Sequence, residues 1–160
     1  YGDHRDLHLS LRRQRQMCIR DRAVQLALAH PFVMVASDGV ISDGRGHPRG
    51  AGTFSRVLGK YVRELGVVSL NEAVRKMTIM PASRLEQSDP NMRRKGRLSV
   101  DADADIVVFD PKTVIDKATF SEPAMRSEGI EYVIVAGKVV VKKGKLQERI
   151  KPGRPIIHKK

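Results

Sequence analysis

Phe32-Val-Met-Val-Ala-Ser-Asp-Gly39 is the stretch from which the rest of the sequence is read. Five apolar residues run without a break into Ser37, Asp38 and Gly39, and a loop rich in glycine, aspartate, histidine and arginine follows. An unbroken apolar run predicts a strand over residues 32–36, buried on both faces as in parallel sheets and barrels. Barrels and open α/β sheets set their chemistry where such strands end, so Asp38 is the first candidate site residue. Asp-Gly is also ordinary turn chemistry, and spacing alone leaves that reading beside the first.

Upstream, Ala23-Val-Gln-Leu-Ala-Leu-Ala29 favours helix, and His30-Pro31 stops it because a residue before proline is pushed out of the helical region. Helix, short connection and buried strand make one unit of an α/β repeat. Downstream, residues 37–52 read as a long loop with Gly39, Gly44, Gly46, Gly50 and Gly52. Loops of that length are usually functional, and His47-Pro48-Arg49 suits either anion contact or a surface turn. Thr53 is placed to cap a helix running to about Leu65, with Phe54, Val57, Leu58 and Tyr61 at helical spacing and Gly66 as its stop. Ser69 with Glu72 makes a capping box for a second helix, expected to reach about Met80 before Pro81. Its methionines read as core filler. After a polar connector over residues 86–95 the period changes. Residues 105–109, 132–136 and 138–142 are β-branched strands, the last two joined by a tight hairpin at Ala136-Gly137-Lys138.

At 160 residues the chain has the length of one domain. No apolar run approaches the roughly 20 residues that span a bilayer, and residues 1–22 hold no stretch resembling a signal peptide. A lone Cys18 rules out an internal disulfide framework and fits a cytoplasmic protein. The net charge of +12 raises a nucleic-acid-binding module as an alternative. The basic clusters at 93–97, 142–145 and 149–160 are nevertheless separated by turn residues, and only seven Tyr and Phe and no Trp are available to stack on bases. Solvated charge is the reading adopted. Residues 1–22, with six Arg against three Asp, show no clean stripe at either period and resemble a translated adapter-derived end. They are set apart as non-native or disordered; a basic nucleic-acid-binding arm is the alternative.

Taken together, several motifs carry a family resemblance. Ser37-Asp38-Gly39, His47-Pro48-Arg49, Gly52-Thr53-Phe54 and Arg56-Val57-Leu58-Gly59 are followed in order by Lys76-Met77-Thr78, Pro81-Ala82 and Gly96-Arg97-Leu98. Ala102-Asp103-Ala104-Asp105-Ile106, Phe109-Asp110-Pro111, Ala118-Thr119-Phe120 and Gly129-Ile130 continue the series. In this order and spacing they resemble the C-terminal part of the D-aminoacylase group, the N-acyl-D-amino-acid deacylases of the amidohydrolase superfamily. The likeness covers about residues 23–157.

The resemblance implies an α/β fold: the last βα unit or units of a metal-dependent (β/α)8 barrel over 23–95, and over 96–160 the C-terminal part of a small β-sandwich with a basic tail. It implies Asp38 as the catalytic general base, taking a proton from a metal-activated water and delivering it to the leaving amine. A carboxylate alone is too weak a base for that at neutral pH, and a bound metal lowers the water's pKa towards about 7. Asp38 would stand beside the metal or bind it weakly. Arg49 and His47 are candidates for holding the carboxylate of a small N-acyl amino acid or related amide. The family's His-X-His pair is absent, since His4, His8, His30, His47 and His158 form no such pair. Cys18 does not carry over as a ligand. His30, at most about 26 Å from Asp38 across eight extended residues, is read as structural. The expectation is a C-terminal fragment whose full-length parent binds zinc or another divalent metal while the fragment holds none and is inactive. A non-catalytic, scaffold-only relative is a further alternative.

Overall fold

The computed structural model describes residues 21–156. The chain divides into two compact units, Tyr1–Val33 and Met34–Lys160. Segment 1–20, with His4, His8 and Cys18, and residues 157–160, with His158, lie outside the described residues.

In the first unit, helix α1 covers residues 21–29, as the Ala and Leu content predicts, and ends at His30-Pro31. The His30 ring stays local. Its Nδ1 accepts the Phe32 amide at 3.4 Å, and the two rings lie 5.7 Å apart.

Residues 32–36, which span the boundary between the two units in sequence, depart from expectation. The predicted strand at 32–36 belongs to no sheet, and Phe32 is 80 % exposed. Within the second unit, the Val35 amide donates to the Lys76 carbonyl at 3.1 Å. A strand exists only by pairing with another; β-branched residues without a neighbour remain an extended segment. The loop reading of 37–52 also gives way. Ile41–Ser42 (β1) and Arg45–Gly46 (β2) form a small antiparallel hairpin turned by Asp43-Gly44, both at positive φ as a type I′ turn requires.

Helix α2, Arg49–Arg56, begins four residues before Thr53, with Pro48 at the N-cap. Thr53 Oγ1 instead donates back to the Arg49 carbonyl at 2.8 Å. The helix runs on as a π-helical segment, Val57–Glu64, until Gly66 turns left-handed. Ser69 caps α3, Leu70–Met77, by accepting the Glu72 amide at 3.2 Å. Glu72 does not complete the box. Its carboxylate grips Arg75 at 2.8 Å. The chain breaks at Thr78, before Pro81, and α4, Ile79–Leu85, carries Pro81 within its first turn, where no amide is required. A short 3₁₀ turn, Pro90–Arg94, leads towards the sheet.

Four strands, Ile106–Phe109 (β3), Ile130–Val135 (β4), Lys138–Lys142 (β5) and Lys145–Leu146 (β6), form an antiparallel meander in that order. The predicted hairpin at Ala136-Gly137 is present, again with two positive φ values. No side chain of this sheet is fully buried; the core lies with the helices. Val57, Leu58, Tyr61, Val68, Ala73 and Ala82 pack there with Val114 and Ala118 from the β3–β4 connection. That connection is fixed by Asp110, which accepts the Lys112 amide at 2.8 Å and the Thr113 hydroxyl at 3.1 Å and so folds Val114 inward. Arg63 donates to the Val114 carbonyl at 2.5 Å. Among the described residues no helix is long and apolar enough to cross a membrane.

The basic cluster at 93–97 is largely paired. Arg94 and Lys95 hold Asp103 at 2.9 and 3.0 Å, Lys95 also holds Asp105 at 2.5 Å, and Arg97 holds Glu86. Asp105 also accepts the Ala136 amide at 2.8 Å, tying the hairpin turn to the start of β3. That amide first, and Lys95 second, hold the Asp105 carboxyl below its usual value of 3.8. A lowered carboxyl pKa stabilises the fold above the unfolded value and loses that contribution as pH falls through the folded one. Asp105→Asn is therefore expected to cost no more than about 1 kcal/mol at pH 7, since the side chain is 36 % exposed and water screens the pair. Urea midpoints of the two proteins should converge as pH drops below 3.8; a gap independent of pH would remove the carboxylate from the explanation.

Candidate functional site

The three candidate site residues come together. Asp38 Oδ1 lies 2.8 Å from Arg49 Nε, and Ser37 Oγ donates to the Arg49 carbonyl at 2.8 Å, so the segment carrying Asp38 is fastened to the first turn of α2. No turn is formed at Asp38-Gly39, and Gly39 has no positive φ. Gly39 is needed for closeness instead. A Cβ there would sit 2.3 Å from the Gly50 nitrogen and 2.6 Å from its Cα. Gly50 in turn has Ile41 and the Gly39 carbonyl against it. These glycines read as loop residues in the sequence, yet they let two backbone segments touch.

His47 supports the same turn. Its Nδ1 accepts the Arg49 amide at 3.1 Å, capping an otherwise unsatisfied helix N–H, and its ring packs edge-on against Phe120 at 5.0 Å. One ring nitrogen is thus committed to the fold. Thr119 holds the Phe120 turn by accepting the Glu122 amide at 3.0 Å. The order of contacts runs Phe120, His47, Arg49, Asp38, joining two motifs about seventy residues apart in sequence.

Asp38 is 82 % exposed and Arg49 50 %. An ion pair so open to water contributes at most about 1 kcal/mol. It is better placed to be exchanged than to hold the fold. A guanidinium using Nε on Asp38 keeps its two terminal nitrogens for a second anion, and the second Asp38 oxygen stays open to a proton. Among the described residues no group of three or more His, Cys, Asp and Glu could hold a metal ion. These residues do not by themselves make a metal cage.

Sequence reasoning missed two features. Phe120 appeared only as part of a motif, with no sign that it reaches His47. Lys76, near the C-terminal end of α3, is fully buried with its Nζ 3.7 Å from Glu72; helical spacing from Glu72 was the available signal.

The Amidohydrolase family matches residues 3–141, a span that enters the segment set apart above. The chain is 44% identical over 134 residues to an N-acyl-D-glutamate deacylase of Alcaligenes xylosoxydans xylosoxydans, covering 84% of this chain and 26% of that protein. It is 47% identical over 117 residues to a D-aminoacylase of the same organism, covering 73% and 23%. Among solved structures, N-acyl-D-glutamate deacylase from Bordetella bronchiseptica, complexed with zinc and a phosphonate inhibitor, is similar with a TM-score of 0.65 and 47% identity over 73% of this chain and 24% of that one. A D-aminoacylase structure concerned with its binuclear metal centre gives 0.70 and 43% over 78% and 25%. The chain spans about a quarter of the length of these relatives. With the family matched along most of its residues, this chain belongs to the amidohydrolase family.

Proposed function

We propose that this chain is the C-terminal share of a hydrolase that cleaves the amide bond of an N-acyl-D-amino acid or a related compound. Residues 23–95 supply the last βα part of a (β/α)8 barrel in this reading, and 96–160 the C-terminal part of a β-sandwich. Asp38 is the general base: it takes a proton from the attacking water and passes it to the leaving nitrogen. Arg49 meets the substrate carboxylate through its terminal nitrogens. Zinc, present in the Bordetella relative, belongs to the parent protein; the residues described here do not make up its cage, so no step is assigned to it.

The observation that carries this reading is the Asp38–Arg49 pair on an exposed surface, in a chain similar to N-acyl-D-glutamate deacylase along most of its length. A catalytic carboxylate and a carboxylate-binding guanidinium side by side are what hydrolysis of an acylated amino acid requires. In the complete protein, residues 32–36 would gain the neighbouring strand they lack here.

The test is a chimera in which residues 23–156 replace the matching quarter of the Alcaligenes N-acyl-D-glutamate deacylase. It is expected to release free amino acid from N-acetyl-D-glutamate or another N-acetyl-D-amino acid. A folded, zinc-loaded chimera that turns over none of them would refute the reading.

A further inference from the structure

We propose that the cleft lined by the 3₁₀ turn at Pro90–Arg94 and the segment at 153–156 is a binding site for a small oxyanion, carboxylate or phosphate, held by Arg154 and Arg94. The cleft has a volume of about 620 Å³, within the size range of small-molecule sites. It joins two stretches that the amide-cleaving function leaves unused, about sixty residues apart in sequence. None of Asp38, His47 and Arg49 lines it, so it stands apart from the proposed catalytic role.

The charge balance points to an anion. Arg94, Lys95 and Arg154 line the cleft against Asp103 and Asp105, an excess of one positive charge. Both carboxylates are already engaged: Lys95 bridges them, Arg94 holds Asp103, and Asp105 also takes the Ala136 amide. Arg94 meets Asp103 through a terminal nitrogen at 2.9 Å and is 62 % exposed, so its guanidinium is open to a second partner. Arg154 holds no ion pair among the described residues. Two guanidinium groups with unused donors at one cleft suit the planar, bidentate capture of an oxyanion. Val135, Ala136, Pro155 and Ile156 add an apolar wall beside them, where water competes less for the anion.

Titration calorimetry of the 160-residue chain with inorganic phosphate, and separately with succinate, at fixed ionic strength tests the site. One saturable event is expected for at least one of the two, and the one that binds identifies the source of the oxyanion. Arg154→Gln, at an exposed position without an ion pair, should weaken it at least tenfold while leaving the circular dichroism unchanged. Asp103→Asn, which frees Arg94 and one contact of Lys95, should tighten it severalfold. Binding equal in wild type and Arg154→Gln, heat abolished by an equal concentration of chloride, or no saturable heat with either anion would overturn the proposal.

Discussion

Gly129→Ala is expected to cost more than about 4 kcal/mol, a large share of the stability of an ordinary domain, whereas Gly137→Ala should cost about 1 kcal/mol. The two glycines have nearly the same backbone, φ +74° and +76°, so the strain of placing an L side chain in the left-handed region is common to both. What differs is the space. At Gly137 a Cβ would meet nothing within 4 Å. At Gly129 it would lie 2.4 Å from the Val114 nitrogen, 2.5 Å from its Cα and 2.7 Å from the Thr113 carbonyl carbon, all of them backbone. Val114 has nowhere to go. Its side chain is fully buried, its amide donates to Asp110 and its carbonyl accepts from Arg63. Gly59 closes in from the π-helical segment, where a Cβ would be 2.7 Å from that same carbonyl oxygen. Relief would require moving a fully packed connection, which is the expensive kind of overpacking. Urea denaturation of the two variants decides it, and equal midpoints would show that the crowding at Val114 is relieved cheaply.

This packing explains which parts of the fold could be read from the sequence. Features set by neighbours in the chain were legible. The Ser69 cap, the stop at Gly66 and the Ala136-Gly137 hairpin each depend on a few adjacent residues. Features set by residues far apart were not. Gly50 and Gly52 look like loop residues in a sequence window, but both sit within α2, where a Cβ would crowd the side chains of Ile41 and Asp116. The strand at 32–36 failed for the converse reason. Its local preference is strong, but strand formation depends on a partner, and no described segment pairs with it. The candidate site was legible as a set of residues and not as an arrangement. Asp38, His47 and Arg49 could be named, while the ion pair, the His47 cap and the arrival of Phe120 follow from the close contact of Gly39 with Gly50.

Within the active chimera, Asp38→Asn is expected to lower kcat by about a thousandfold with little change in KM, because a positioned general base contributes roughly 10²–10⁴. Asparagine keeps the size of the side chain and an oxygen able to accept from Arg49, and loses only the capacity to take a proton. Arg49→Lys separates the two roles that the ion pair allows. If Arg49 binds substrate carboxylate, lysine's point charge cannot replace a bidentate fork, and KM should rise at least tenfold while kcat changes less. If Arg49 serves only to hold Asp38 in place, kcat should fall and KM stay where it was. Steady-state kinetics on N-acetyl-D-amino acids reads both quantities at once. An Asp38→Asn chimera within tenfold of the parent kcat would remove Asp38 from the chemistry. The exposed pair with Arg49 would then be a surface contact worth at most about 1 kcal/mol, and the proton would have to be carried by another group.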